Sequence, residues 1–425
     1  MPRKRTLKLI SLLICFFSLL NRPIRADSIQ FDPPHYIHGI RLDWVDMLHI
    51  TWMEKVGHDR WIATLGLQDL SNKRPPYNIE FPDENTRDRP LGSYLMVVLI
   101  NNGGRVLMRS QHLIPGAEFI GAHYARVKIV DPANTDDDCA YIVTPDFQRF
   151  YCFNAFLELL HHYRLPQRVL DFAIIPTSDG KPALLVIQKR ENGWLHLLDP
   201  KSGKTLRSWL TTVELKAALP KTIGRKQYKK ILSFLEDPEV DVMELPEVAL
   251  MTAPPFITVI VMRGANFAFI ADADNLHALR VFSVSIPPQP VKVLRGPAFF
   301  LINAFLSRSG KPNHQKILVF GAINTLTRVA DLSNIDIGYF TIAKKRYRSL
   351  KHITIASVPS LLELDLNTGR TKWLKIGLFA TDADHFYYPI LFTRKKQNRL
   401  YGLVNVFDLQ HPYPFKSAFS SVTLH

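Results

Sequence analysis

The sequence contains little cysteine, with only 3 cysteines among 425 residues. A small secreted domain held together by disulfides is therefore excluded, because such domains are dense in cysteine. Only one long apolar run is present, close to the N-terminus, which excludes a membrane protein with several spanning helices. Intrinsic disorder is excluded as well, because 47% of the residues are hydrophobic and only 21% are charged, so the chain can bury a core.

The apolar run belongs to residues 1–26, which have the organisation of a secretory signal peptide. Three basic residues precede an apolar stretch over 9–20, which is too short to cross about 30 Å of hydrocarbon as a helix. Cleavage is predicted after Ala26, and an uncleaved anchor is the alternative. Cys15 does not follow the small residue that a lipoprotein signal requires. The mature chain is then 27–425, with no stable membrane insertion.

The net charge of +15 depends partly on this segment. It contains six basic residues and no acidic one, so its removal lowers the charge to +9. This excess is modest for a chain of this length. Because an exported chain does not meet cytoplasmic nucleic acid, we predict no nucleic-acid partner.

The two cysteines of the mature chain, Cys139 and Cys152, flank a predicted hairpin. A turn centred on Pro145 and Asp146 would place them directly opposite each other. Facing residues in a non-hydrogen-bonded antiparallel pair approach closely enough for a disulfide, and export leads to an oxidising compartment. We therefore predict a Cys139–Cys152 disulfide. Two free buried thiols are the alternative if the chain is not exported.

Strand patterns dominate the rest of the chain. Segments such as 94–100 and 256–262 are short, rich in β-branched and aromatic residues, and bounded by turn-forming residues. A helical pattern is confined to 213–235, where Pro220 interrupts it. No linker divides the chain. The sequence predicts one all-β domain with a small helical insertion near 213–235.

One hairpin sequence occurs twice, around Asp199 and around Asp365. In both copies an apolar strand leads to the aspartate, then to Ser or Thr, to Gly203 or Gly369, and to a basic residue before a second strand. The aspartate is expected to cap turn amides, and the glycine to supply a positive φ. A related segment without the aspartate lies at 97–107.

The spacing of the two hairpins predicts a propeller. Asp199 and Asp365 are 166 residues apart, which equals four units of about 41 residues, the size of a four-stranded propeller blade. We therefore predict a single β-propeller of about seven or eight four-stranded blades over 27–425. Closure by pairing of the N- and C-terminal strands is expected, with 421–425 in the closing strand.

The hairpin over 192–204 resembles that of quinoprotein-like propellers and, more narrowly, that of PilY-type pilus tip and biogenesis proteins. Four later segments resemble further sequence motifs of that family in the same order: 256–270, 316–321, 361–369 and 382–409. The resemblance covers about 168–410. The resemblance does not include the large N-terminal adhesion domain of many family members.

The resemblance implies a degenerate calcium loop. Asp382 and Asp384 match the first two positions of the family's Asp-x-Asp-x-Asp-x-x-x-Asp loop, whereas Phe386 and Ile390 occupy the last two. Calcium takes about six to eight oxygen ligands, so the loop is predicted to be a solvated turn, with Asp382 and Asp384 as residual metal ligands in the alternative interpretation. No cofactor is predicted.

Two basic segments each contain a tyrosine: 225–230, and the segment that includes Lys344, Lys345, Arg346 and Arg348. Such patches bind anionic partners, including nucleic acid, acidic glycans and lipid headgroups. The alternative is a solvated loop or an outer blade edge, where lysine prevents edge-to-edge pairing.

Taken with the resemblance, these features predict a non-catalytic exported propeller of a Gram-negative bacterium, in the periplasm or at the outer membrane or cell surface. It would act in type IV pilus assembly or adhesion by binding protein partners or a host surface. The alternatives are a periplasmic scaffold for outer-membrane protein assembly and a quinoprotein-like enzyme. No catalytic residues are predicted, because no nucleophile, zinc or phosphate-binding motif is present.

Overall fold

The structure, a computed structural model, describes twenty segments of the chain. They are residues 28–31, 35–40, 47–68, 93–115, 125–130, 138–177, 180–190, 193–219, 223–236, 248–253, 256–262, 266–272, 280–287, 295–308, 315–328, 353–376, 379–380, 385–396, 399–408 and 414–423.

The first half of the chain contains two short N-terminal strands and three antiparallel sheets. The N-terminal strands are β1 (Ser28–Phe31) and β2 (His35–Tyr36). The first sheet consists of β3 (Met47–Val56), β4 (Arg60–Gln68), β5 (Ser93–Asn101) and β6 (Val106–Pro115). The second consists of β7 (Arg126–Ile129), β8 (Tyr141–Thr144), β9 (Arg149–Phe153) and β10 (Leu159–Arg164). The third consists of β11 (Asp171–Pro176), β12 (Pro182–Arg190), β13 (Gly193–Leu198) and β14 (Thr205–Trp209).

Two helices separate the third sheet from the fourth. They are α1 (Thr212–Ala217) and α2 (Arg225–Glu236). The fourth sheet consists of β15 (Val248–Ala253), β16 (Phe256–Val261), β17 (Phe267–Asp272) and β18 (Arg280–Ser283). The fifth begins with β19 (Arg295–Arg308), β20 (Gln315–Arg328), β21 (Ile353–Asp365) and β22 (Thr371–Ile376). It continues with β23 (Phe379–Ala380), β24 (His385–Lys396), β25 (Arg399–Asp408) and β26 (Pro414–Thr423).

The first strands of successive meanders form a closed ring. In order, β3, β7, β11, β15, β19 and β24 each contact the next, and β24 contacts β3 again. In the first four sheets the remaining strands follow outward in sequence order, whereas the fifth sheet contributes two strands, β19 and β24, to the ring. This is the arrangement of a single all-β propeller, in which sheets stack face to face around a central axis.

The blades number five, and the prediction of seven or eight is wrong. The fifth sheet has ten strands, because β1 joins the β19–β22 meander to the strands that end with β26. The hairpins at Asp199 and Asp365 lie in the third and fifth sheets, two blades apart and not four. The distance from Asp199 to Asp365 is longer than two repeats of about 41 residues because β19 and β20 have 14 residues each and a helical insertion follows the third sheet.

The N- and C-terminal strands pair, as predicted. Gln30 of β1 lies opposite Thr423 of β26, and Phe31 lies opposite Val422. On its other side β1 runs parallel to β22. The first described strand of the chain therefore completes the last sheet.

Among the described residues, the core lies mainly between neighbouring sheets, because both faces of strands such as β12 are covered. Residues 183–188 of β12 are all buried, which explains why this strand has an almost continuous apolar sequence. One core cluster joins the third and fourth sheets through Leu185, Trp194, Val259 and Phe267. The helical insertion contributes to this cluster.

Candidate interaction surface

The helical insertion near 213–235 is present, as predicted, and forms a two-helix projection between two blades. It connects β14, the outer strand of the third sheet, to β15, the inner strand of the fourth. Since strands alternate in direction within a blade, β14 ends on the opposite side of the propeller from the β13–β14 turn. The helices and the Asp199 turn therefore lie on opposite sides of the ring.

The start of α1 is fixed by a capping box. Thr211 Oγ1 accepts a hydrogen bond from the Glu214 backbone N–H at 3.2 Å, and the Thr211 N–H donates to Glu214 Oε2 at 2.6 Å. The indole N–H of Trp194, in β13, donates to Thr212 Oγ1 at 2.9 Å. These bonds tie the first helix to the third sheet.

One side of α2 is part of the propeller core. Ile231, Phe234 and Leu235 are buried. The Phe234 ring stacks on Trp194 with centroids 5.7 Å apart and meets Phe267 of the fourth sheet edge-on at 5.8 Å. Because it contacts both neighbouring sheets, α2 is held in one orientation.

The opposite side of α2 is basic and exposed. We call it the basic face, and it consists of Arg225, Lys226, Lys229 and Lys230. None of these four forms an ion pair with another of the residues that the structure describes. The only carboxylate on the helix, Glu236, already accepts from Lys216 Nζ at 3.0 Å, and its backbone carbonyl accepts from Lys189.

This charge arrangement weakens the helix that carries it. Arg225 with Lys229, and Lys226 with Lys230, are like-charge pairs four residues apart, each unfavourable by about 0.2–0.5 kcal/mol. Two of the cations also lie in the first turn, which contains no acidic residue, where the helix dipole disfavours positive charge by about 0.3–1 kcal/mol each. The basic face therefore destabilises α2.

The Asp199 and Asp365 turns have the geometry that their sequences predict. Asp365 Oδ1 accepts hydrogen bonds from the backbone N–H groups of Asn367 and Thr368, at 3.0 and 2.8 Å, and Asp199 Oδ1 accepts from Lys201 at 3.1 Å. The backbone N–H of the glycine donates to the aspartate carbonyl at 2.8 Å in both turns. The glycine φ values are 68° and 69°, where only glycine is unstrained.

Both turns dock onto the outer strand of the preceding blade. A Cβ on Gly203 would lie 2.7 Å from the ring of Tyr163 in β10, and one on Gly369 would lie 1.9 Å from the ring of Phe282 in β18. Two residues before each ring, a side chain lies next to the turn backbone. Arg280 donates to the carbonyls of Leu366 and Asn367 at 3.0 and 3.1 Å.

In the first copy this position is His161, whose ring lies next to the backbone of Lys201. Burial, together with the nearby Lys201 charge, lowers the pKa of His161. Lys201 forms an exposed ion pair with Asp138. The sequence indicated the two turns but not their docking partners, which lie in a different blade.

The cysteines lie behind the Asp199 turn, but the predicted register is wrong. In the observed register Cys152 lies opposite Ile142 and not opposite Cys139. Cys139 precedes β8, which begins at Tyr141. The turn is longer than predicted because Asp146 Oδ1 accepts from the Gln148 and Arg149 N–H groups, and Phe147 has a φ of 61°.

In the structure both thiols are free and buried, and no disulfide joins them. Cys152 Sγ donates to the Pro200 carbonyl at 3.4 Å, and Cys139 Sγ donates to the Tyr141 carbonyl at 3.3 Å. The pKa of Cys152 is raised, mainly by a hydrogen bond with Cys139 and to a smaller extent by burial. Because the thiolate is the reactive form, the raised pKa makes the Cys152 thiol less reactive in the folded state.

A polar network crosses the inner strands of the first four blades. The Arg126 guanidinium lies 3.7 Å above the Trp52 ring centroid, and Lys128 forms an ion pair with Glu54. Asp171 Oδ2 accepts from the Leu250 N–H at 2.7 Å. Burial raises the pKa of Asp171, although the Lys128 and Arg126 charges oppose this rise. These contacts join β3 to β7 and β11 to β15.

The remaining predicted site residues lie outside the described part of the chain. They are the signal segment 1–26, the aspartates Asp382 and Asp384, and the basic residues Lys344, Lys345, Arg346 and Arg348. Within the described segments, no group of three or more His, Cys, Asp or Glu side chains is placed to hold a metal ion. None of the described helices is long and apolar enough to cross a membrane.

No protein-family model matches the chain, and no curated protein matches it in sequence. Among solved structures it is similar to BamB from Moraxella catarrhalis, with 12% identity, a TM-score of 0.30, and 91% of this chain and 78% of that chain covered. It is similar to BBS1N in complex with ARL6DN, with 9% identity, a TM-score of 0.37, and coverage of 95% and 98%. It is also similar to Saccharomyces cerevisiae Sqt1, with 11% identity, a TM-score of 0.35, and coverage of 92% and 98%. These low scores carry no argument about partners.

Proposed function

We propose that the protein is a non-catalytic binding scaffold that recognises protein partners through surfaces on its propeller. One observation carries the proposal: the insertion is locked between two blades by Trp194, Phe234 and Phe267, yet it presents an exposed charged face. A rigid element whose exposed charges have no ion-pair partner among the described residues suits partner binding, because little conformational entropy is lost when the complex forms.

More specifically, we propose that the scaffold acts in the cell envelope of a Gram-negative bacterium, after export, in type IV pilus assembly or adhesion. The support comes from the Asp…Gly turns, whose sequences carry the resemblance to PilY-type propellers and whose capping geometry repeats in two blades. Neither a cofactor nor a catalytic centre is part of the proposal.

Capture of partners in the cell tests the scaffold function. The protein is produced from its own promoter with a photo-crosslinking amino acid at Val213, which is exposed in α1, and crosslinked proteins are identified by mass spectrometry. Pilins or other pilus components are the expected partners, and a deletion strain is expected to lose piliation. Recovery of outer-membrane assembly factors instead would replace the pilus role with the assembly-scaffold role.

Purified protein tests the absence of catalysis. Quinone-like absorbance that copurifies with the chain, together with dehydrogenase activity on sugars or alcohols, would overturn the scaffold proposal. The expected result is a spectrum with protein absorbance only and no turnover above that of a heat-denatured sample.

A further inference from the structure

The basic face combines three properties. Its four cations are exposed, and they have no ion-pair partners among the described residues. They also lower the stability of the helix that carries them. Local rules that are broken without a structural gain are typical of binding sites. The face also lies on a helix that cannot reorient, because Ile231, Phe234 and Leu235 are buried in the core.

We propose that the basic face of α2 binds an acidic segment of a protein partner. This inference rests on the proposed scaffold function, because it specifies the chemistry of the partner. Charge complementarity is the main argument: a cluster of cations increases the encounter rate with a negatively charged surface and fixes its orientation. Tyr228, 39% exposed on the same helix, adds an aromatic side chain of the type that is enriched in protein interfaces.

A membrane surface fits the basic face less well. Helices that bind lipid headgroups insert an apolar face among the acyl chains, but the apolar side of α2 already packs against Trp194 and Phe267. Only electrostatic attraction to headgroups would remain. A folded or extended acidic polypeptide needs no insertion, so it matches the surface that α2 leaves available.

The chain itself contains a competing acidic sequence. Residues 237–247, directly after α2, include five carboxylates and no basic residue: Asp237, Glu239, Asp241, Glu244 and Glu247. An intramolecular occupant would give the basic face a different role from the one proposed. The experiment therefore includes a variant in which these five residues are changed to Asn or Gln.

Binding of a fluorescein-labelled deca-glutamate peptide to the purified mature chain tests the proposal by fluorescence anisotropy. In the test variant all four cations of the basic face are changed to Gln, which preserves helix propensity. The matched control changes four exposed cations in turns on the opposite side of the ring to Gln: Arg105, Lys181, Lys204 and Arg370. Circular dichroism verifies that both variants fold.

We expect the test variant to bind the peptide about tenfold more weakly than the wild type, and the control variant to bind it within about twofold. Binding by the wild type is expected to weaken as salt is raised from about 0.02 to 0.3 M. Equal losses in the two variants, or no loss in the test variant, would overturn the proposal. Peptide binding that appears only after neutralisation of 237–247 would overturn it in favour of the intramolecular occupant.

Two further measurements separate the partner classes and the two proposals. If phosphatidylcholine vesicles with phosphatidylglycerol, or single-stranded DNA, bind through the four cations while the peptide does not, the partner is not a protein. In cells, a test variant that still crosslinks every wild-type partner from Val213 would overturn this inference but leave the scaffold function intact. A wild type that crosslinks nothing would overturn the scaffold function itself.

Discussion

The Asp199 and Asp365 turns are two copies of one local structure in different surroundings. Both use an aspartate cap and a glycine at positive φ, and both rest on an aromatic ring from the preceding blade. They differ in the second contact: Arg280 donates to two backbone carbonyls of the Asp365 turn, whereas the His161 ring only lies next to the Lys201 backbone of the Asp199 turn. The turn is thus specified locally, and its attachment is specified by a neighbouring blade.

The glycines should reveal the largest difference between the turns. Gly369→Ala adds a Cβ that meets the Phe282 ring at 1.9 Å, so backbone strain and overpacking should together lower the free energy of unfolding by about 4 kcal/mol. Gly203→Ala, at 2.7 Å from Tyr163, should cost about 2 kcal/mol. Urea denaturation measures both.

Gly180→Ala is the matched control for these glycines. Its φ is 79°, but nothing lies within 4 Å of the added Cβ, so only the backbone cost of about 1–2 kcal/mol is expected. If Gly369→Ala is no worse than Gly180→Ala, the docking contact has no energetic role.

The cysteine pair lies behind the Asp199 turn and has no counterpart at Asp365. The predicted disulfide can be tested by refolding the mature chain under oxidising and under reducing conditions. We expect the oxidised product to be lighter by two hydrogen atoms and more stable by about 3 kcal/mol, because the disulfide closes a short loop in the unfolded chain. The Cys139→Ala variant should show no such difference between the two conditions. Identical masses for the wild-type products would rule the disulfide out.

Substitution of Arg280 should lower the free energy of unfolding more than substitution of His161. Arg280→Ala removes the donors to the carbonyls of Leu366 and Asn367 and should destabilise the protein by about 2 kcal/mol, whereas His161→Ala should cost about 1 kcal/mol. Arg280→Lys should lie between the wild type and Arg280→Ala, because lysine keeps the charge but not the planar pair of donors. Equal losses for Arg280→Ala and His161→Ala in thermal unfolding would remove this difference between the turns.

The Asp365 cap should depend on pH. Burial acts to raise the pKa of Asp365, but hydrogen bonds from Thr368 and Asn367 and the Lys316 charge outweigh it, so the pKa is lowered. A lowered folded-state pKa contributes stability that is complete above the ordinary carboxyl pKa of about 4 and is lost as the pH falls through the folded value. Because hydrogen bonds to a charged acceptor are stronger than those to a neutral one, the free energy of unfolding of the wild type should exceed that of Asp365→Asn by about 1 kcal/mol at neutral pH, and the gap should shrink on acidification. A gap that widens in acid would contradict this assignment.

The smallest effect is expected at Lys201. Its ion pair with Asp138 joins two side chains that are 53% and 57% exposed, and exposed pairs contribute less than about 1 kcal/mol. Lys201→Met should lower stability slightly at low salt and not at high salt. Lys204→Met, in the same turn, serves as the control, and a salt-independent loss at Lys201 would show that the ion pair is not responsible.

Local features were predictable from the sequence, because the residues that form them are adjacent. The Asp cap and the glycine of both turns follow from their own side chains, and the helical insertion follows from the spacing of its apolar residues. The docking partners Tyr163 and Phe282 were not predictable, since no pattern in one blade specifies which outer strand of the previous blade it meets.

Two predictions were wrong for identifiable physical reasons. The Cys139–Cys152 register assumed a two-residue turn, but hydrogen bonds to Asp146 lengthen the turn and displace Cys139. The blade count assumed that the distance from Asp199 to Asp365 spans four equal units, whereas long strands and the helical insertion fill that distance with two blades. The basic face was visible as a basic segment, but its exposure and lack of partners required the packing of α2.

The position of β1 between β22 and β26 has a consequence for how the protein reaches its native state. Pairing of Gln30 with Thr423 joins residues from almost opposite ends of the chain, a contact of very high sequence separation that slows folding. The fifth sheet cannot be completed until β26 has been synthesised. Until then, the backbone groups of β1 that pair with β26 in the complete sheet remain unpaired. Formation of this one strand pair is therefore expected to be the slow, final step of folding, during which the chain is most exposed to proteolysis and aggregation.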